Sequence, residues 1–225
     1  MSAPLASLVA YVALFAGFLF VPARTIHWRA AWILLAVLFV VRAASTVRLW
    51  RVRRDLLVER AKGIIQREQL PADRVLLLAF MASYAALIAF ASADRWRLHL
   101  LPVLPAWLRV AGLALFAGGW VIVHFALEAN AFAVTVVRYQ DDRGQTVADT
   151  GLYRTIRHPM YAGIIVVMIG FCLWLGSTAA VIAASLPAAI AAIRIVHEER
   201  LLREALNGYA GYTARVRWRL VPLLW

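Results

Sequence analysis

Apolar residues run along this chain in long blocks parted by short polar or basic intervals. Leu5 to Val21 and Ala30 to Val47 are each apolar enough to cross about 30 Å of hydrocarbon. Arg42 stands close enough to the end of the second block to snorkel. Val75 to Ala91 and Val103 to Leu127 predict two more spans, divided by a loop bearing Asp94, Arg95, Arg97 and His99. Gly112, Gly118 and Gly119 inside the last block read as small residues for close helix approach, not as a nucleotide loop. Met160 to Val196 is too long for one vertical crossing, and Gly176-Ser177 near its middle predicts a helical hairpin that turns there.

Two stretches depart from the blocks. Between Arg48 and Arg74, Leu49, Val52, Leu56, Leu57, Ala61, Ile64 and Ile65 recur at roughly helical spacing among basic residues, predicting an amphipathic surface helix over 48–74. Its basic face is either solvated or in contact with anionic membrane lipids. Leu201, Leu202, Ala205 and Leu206 continue a second amphipathic helix to Gly208, followed by Tyr209, Tyr212, Arg215, Arg217 and Arg219. The pattern therefore predicts an all-α polytopic membrane helix bundle of four spans, a C-terminal helical hairpin and a cytoplasmic amphipathic tail helix. Residues 1–128 are the expected scaffold and 129–225 the expected cofactor-binding and catalytic region.

Composition sharpens this picture. With 64% hydrophobic and 16% charged residues, a soluble domain would have more apolar surface than it could cover. A net charge of +12 is a feature of nucleic-acid binders, but the basic residues fall between apolar blocks instead of along one soluble face, so no nucleic acid is expected. Arg24, Arg29, Arg95, Arg97 and Arg109 fall outside and the other nineteen of 24 Lys and Arg inside, which sets both termini in the cytoplasm. That implies a multi-pass protein of the inner (cytoplasmic) membrane with its site facing the cytoplasm. The first twenty residues lack a basic n-region and read as a retained span. Cys172, the single cysteine, supports no disulfide framework and no multi-Cys metal site. His197-Glu198 begins like a zinc-binding H-E-x-x-H helix, but Leu201 stands where the second histidine belongs, so no metal is expected.

Candidate chemistry concentrates in one polar knot, Gly151-Leu152-Tyr153-Arg154-Thr155-Ile156-Arg157-His158-Pro159-Met160-Tyr161-Ala162-Gly163. Pro159 suits a first helical turn, so the knot opens a helix whose free N–H groups attract an anion. Arg154, Arg157 and His158 add donors, while Tyr153 and Tyr161 offer flat faces with hydroxyl tips. The same residue types also suit a plain interfacial anchor. The hairpin returns the chain beside the knot at Arg194 and Glu198, four apart on one helix face. Such a pair either closes on itself or serves a ligand held by the knot.

Gly151-Leu152-Tyr153, Arg157-His158-Pro159-Met160-Tyr161-Ala162-Gly163 and, beyond the hairpin, Glu198-Glu199 with Tyr209, Tyr212 and Arg215 resemble the isoprenylcysteine carboxyl methyltransferase family. The likeness covers roughly 130–222. It implies an integral-membrane enzyme using S-adenosylmethionine, with Tyr153, His158, Pro159, Met160, Tyr161 and Glu198 at the cofactor and Arg194 addressing the acceptor's carboxylate; Arg157, a donor in the same knot, is expected beside them at the cofactor. Gln145, Thr146, Val147 and Ala148 match the segment lining the cofactor in that family. The run from Glu199 to Tyr209 is one residue shorter than the family pattern, and Asn207 replaces an expected glycine.

The residue types fit such chemistry. A helix N-terminus with Arg and His suits the cofactor's carboxylate, aromatic faces suit its adenine, and Glu198 suits its sulfonium. A carboxylate acceptor is already nucleophilic and needs alignment rather than a base. The acceptor is expected to be lipophilic and to enter sideways from the bilayer, with no obligate protein partner. Phospholipid or amine N-methylation, an NADPH-dependent membrane reductase and a non-catalytic scaffold are the alternatives. Ile164, where a reductase of the sterol type has an acidic residue, counts against the reductase.

Overall fold

A computed structural model describes residues 2–66 and 69–225. Nine α-helices run through the described residues: α1 (Ser2–Ala23), α2 (Arg29–Val52), α3 (Arg54–Arg60), α4 (Pro71–Ala93), α5 (Ala106–Ala129), α6 (Pro159–Leu175), α7 (Thr178–Ala183), α8 (Ser185–Ala205) and α9 (Tyr209–Arg215). Five of the described helical stretches are long and apolar enough to cross a membrane, and α6 is a shorter apolar helix of 17 residues. The fold is a polytopic helical membrane bundle. Its exterior carries large apolar side chains such as Leu14, Phe39, Val40, Val75, Leu78, Val110 and Ile182. Water would penalise that surface, whereas lipid tails match it.

The bundle is centred on α6. Phe171, Met168, Val167 and Leu175 are fully buried with Phe15, Leu19, Leu38 and Phe116 in one apolar core. Against α5 the contact is backbone to backbone: a Cβ on Gly119 would lie 2.7 Å from the Gly163 carbonyl oxygen, and one on Gly163 would lie 2.8 Å from that of Gly119. Gly112 and Gly170 repeat the approach one heptad along. In lipid, where burying apolar surface gives helices no drive to associate, this closeness gains dispersion contacts. Gly118 has nothing within 4 Å and takes no part, contrary to the sequence expectation.

Both ends of the bundle are pinned by polar contacts. At one end Ser177 Oγ donates to Asp94 Oδ2 at 2.5 Å, Thr178 Oγ1 donates to the Pro102 carbonyl, and Trp28 meets Trp96 edge to face. The hairpin turns there, with Gly176 at φ +80°, a left-handed conformation glycine adopts without a Cβ clash. At the other end Glu128 on α5 accepts from Arg48 Nε and Nη2 of α2 at 2.8 and 2.6 Å. That end also holds the 130–158 connection and the knot.

Three further expectations change. No single amphipathic helix spans 48–74: α2 runs on to Val52, the chain breaks at Arg53, α3 ends at Arg60, and Asp73 and Arg74 belong to α4; residues 67 and 68 lie outside the described residues. The break is fixed by Arg53, whose Nε donates to the Glu128 carbonyl at 2.8 Å. Because α2 is longer than the apolar block, Arg42 lies well inside it and does not snorkel. Its guanidinium sits 4.6 Å from the Trp120 ring and 5.6 Å from the Tyr11 ring, a cation–π setting. Finally, the returning arm of the hairpin divides at Ala184 into α7 and α8.

Candidate functional site

His158 caps α6 and Pro159 takes its first position. The N–H groups of Arg157 and His158 are not left for a ligand: they donate to the Trp218 and Arg219 carbonyls at 2.9 Å, where the chain after α9 runs beside the knot. The tail thus fixes the backbone that presents the knot's side chains.

A buried carboxylate organises those side chains. Glu199, 3% exposed, places Oε1 3.0 Å from Arg157 Nε and 3.1 Å from His158 Nε2, and its Oε2 accepts from Arg219 Nε at 3.1 Å. The Arg157 contact is an ion pair without hydrogen-bond alignment. Burial lowers the Arg157 pKa, and Glu199 opposes that shift. In the sequence Glu198-Glu199 stands as one acidic motif; the fold gives the two separate tasks. Glu198 turns into the adjoining cavity and accepts from the Tyr161 hydroxyl at 3.1 Å.

That polar cavity brings together most of the residues singled out in the sequence. Gln145, Thr146, Val147, Ala148, Tyr153, Arg157, His158, Met160, Tyr161 and Glu198 all line it, whereas Pro159 is buried in the helix start and does not. Arg154 is exposed and also takes no part. His158 and Glu198, from the two arms of the hairpin, share this one space. The segment between α5 and the knot closes it: Phe132, Val134, Val136 and Gln140 form part of the wall, as do Leu202, Leu206, Tyr209 and Tyr212 from the tail. The tail tyrosines belonged to the sequence motif, but the apolar wall residues carry no distinguishing signal in sequence. Tyr212 donates to the Tyr153 carbonyl at 2.8 Å, and Asn130 Nδ2 donates to the Tyr153 hydroxyl at 3.3 Å. Burial pushes the Tyr153, Tyr209 and Tyr212 hydroxyls above their ordinary pKa, so all three stay protonated at neutral pH.

Arg194 does not pair with Glu198. It is 5% exposed, and its Nε donates to Asp73 Oδ1 and its Nη2 to the Thr135 carbonyl, both at 2.6 Å. Asp73, 1% exposed, accepts at Oδ2 from the Val137 N–H and from Gln69 Nε2, each at 2.8 Å. This one carboxylate therefore ties α4 to α8 and to the segment closing the polar cavity. In the sequence Asp73 was only one acid in a basic stretch.

Arg194 faces a second, apolar cavity of about 300 Å³ among α1, α4, α5 and α6. Tyr11, Phe15, Phe18, Leu77, Phe80 and Ile88 line it, and its charged lining residues are Arg60 and Arg194. Met160 and Tyr161 line both cavities and form the partition between them.

The polar cavity fits S-adenosylmethionine by donor set: the Glu198 carboxylate, the Arg157 guanidinium, the His158 imidazole and the rings of Tyr153, Tyr161, Tyr209 and Tyr212 all line it. Its volume is about 80 Å³, below the range usual for sites holding ligands of that size. Residues 107–207, from the start of α5 to just past α8, match the family described as phospholipid methyltransferase, PEMT. No curated protein matches the chain. The matched stretch contains the knot, the hairpin and Glu198, and it supports a membrane methyltransferase of the kind that uses S-adenosylmethionine.

Proposed function

We propose that this chain transfers a methyl group from S-adenosylmethionine to a carboxylate on a lipophilic acceptor, with the cofactor arriving from the cytoplasm and the acceptor from the bilayer. The observation carrying the proposal is the shared partition. Met160 and Tyr161 separate a polar cavity suited to a nucleoside from an apolar cavity suited to a lipid tail, so acceptor and methyl donor meet at these two side chains.

Held by the residues of the polar cavity, S-adenosylmethionine would supply an electrophilic methyl group to the acceptor oxygen, with S-adenosylhomocysteine as the leaving group. Glu198, oriented by the Tyr161 hydroxyl, favours the positive sulfonium over a neutral nucleoside. Arg157 and His158, held by Glu199, form the anion-attracting part of the wall and suit the cofactor's carboxylate. Tyr153, Tyr209 and Tyr212 line the cavity and would offer aromatic faces to the adenine. Gln145, Thr146, Val147 and Ala148 line the cavity and would limit the water around a bound nucleoside. Arg194, fixed by Asp73, keeps a cation at the acceptor side of Tyr161, with its guanidinium carbon 5.9 Å from the ring centroid.

The description of the matched family favours a second reading, transfer to the amine of a phospholipid. An amine must shed a proton, and the residues lining the apolar cavity include no Asp, Glu or His to take it. The test uses full-length protein in lipid nanodiscs, methyl-labelled S-adenosylmethionine and a membrane extract. Lipid-extractable label released as methanol by mild alkali is the expected result. Alkali-stable label on a phospholipid would replace carboxyl with amine methylation, and no transfer at all would overturn both.

A further inference from the structure

Arg60 stands at the meeting point of the two cavities and, among the described residues, has no counter-ion. It lies on α3, outside the stretch that matches the methyltransferase family, and it belongs to no sequence motif described above. Its Nη1 donates to the Ala133 carbonyl at 2.6 Å and lies 4.0 Å from Met160 Sδ, which places the guanidinium against one half of the partition while Arg194 stands over the other half. Among the described residues Asp73 neutralises Arg194, and no carboxylate lies within ion-pair distance of Arg60 or of Arg42. Arg42, between Tyr11 and Trp120 of the same cavity, leaves its buried Nε without a partner and adds to the positive potential. Burial, together with Arg42 and Arg194, pushes the Arg60 pKa down to about 10, which still leaves it charged at neutral pH.

Resting on the carboxyl-methylation reading, we infer that Arg60 is the residue that reads the acceptor's anionic group, while Arg194 is a positioning residue already committed to Asp73. A half-buried cation that lines an apolar cavity with no acid beside it is costly unless a ligand completes the pair. A lipophilic carboxylate in the apolar cavity does so with its head against Met160, where the methyl group is delivered. A phospholipid ammonium in the same place would meet Arg60 and Arg194, with Arg42 beyond them against Tyr11 and Trp120 and Asp73 neutralising Arg194 alone, and like charges would reject it.

The test measures binding and turnover of linear and isoprenoid carboxylic acids from C12 to C20, each compared with its primary amide, by full-length protein in nanodiscs. In the wild type the acids bind more tightly than the amides and become methyl esters. Arg60→Gln lowers the acid-to-amide affinity ratio by about 10- to 100-fold, as loss of a charge-assisted contact predicts, and leaves S-adenosylmethionine affinity within about threefold. Arg60→Lys, which keeps the charge, recovers most of the ratio. Arg60→Met, apolar and of similar length, gives the same readout if the glutamine variant does not fold, and its thermal stability without acceptor equals or exceeds the wild type's. An unchanged ratio in a folded Arg60 variant overturns the role of Arg60 and leaves carboxyl methylation standing. Wild-type protein that binds acids no better than amides overturns both.

Discussion

Glu199 Oε1 lies 3.1 Å from His158 Nε2 although 41 residues separate them in the chain, because the hairpin α6 to α8 brings both its ends to one level. The contact is part of a buried hub with Arg157 and Arg219, so removing the carboxylate strands several cations. Glu199→Gln is expected to cost about 3–5 kcal/mol, as for one partner of a buried ion pair. Thermal unfolding in detergent and cofactor titration both report it: stability and S-adenosylmethionine affinity fall together. A variant as stable as the wild type would show that the hub is not needed.

Glu198 makes a different prediction from its neighbour. Its tie to the fold is the Tyr161 hydroxyl, so Tyr161→Phe frees the carboxylate while keeping the ring on the partition. The loss of one hydrogen bond corresponds to about 0.5–1.5 kcal/mol, or roughly 2- to 10-fold in S-adenosylmethionine affinity by calorimetry. Glu198→Gln is expected to weaken the cofactor further, with little change in unfolding temperature, since Glu198 is not part of the buried hub.

The Asp73–Arg194 pair is the clearest coupling in the protein. Asp73→Asn and Arg194→Gln each leave a buried group unsatisfied, whereas the double variant removes both ends of one interaction. A double-mutant cycle on unfolding free energy is expected to give a coupling of about 0.5–3 kcal/mol. Additivity within error would mean that the two side chains act independently despite the 2.6 Å contact.

Gly119 and Gly118 provide a matched control. Gly119→Ala forces a methyl group against the Gly163 carbonyl and is expected to destabilise by about 1–3 kcal/mol. Gly118→Ala meets open space within the same helix and is expected to be neutral or to stabilise by up to about 1 kcal/mol through helix propensity. Unfolding curves of the two variants decide whether the close α5–α6 seam carries the stability assigned to it.

Hydropathy alone determined the membrane bundle, the hairpin and its turn at Gly176, because twenty apolar residues and a glycine in a polar break have few other uses in a chain of this composition. The knot was legible for a similar reason: Arg157-His158-Pro159 and two tyrosines are out of place in hydrocarbon unless they serve something. Tertiary structure decided what pairs with what. Arg194 and Glu198 share a helix face in the sequence, yet Arg194 bonds Asp73 and Glu198 bonds Tyr161, because buried charges settle with the partner that packing supplies rather than with the nearest one along the helix. Periodicity likewise predicted one surface helix where the fold has a break at Arg53, since the carbonyl that fixes the break belongs to Glu128, far along the chain. Arg60 gains its meaning only from what the bundle places around it: an apolar cavity, Met160, and no acid among the described residues within ion-pair distance.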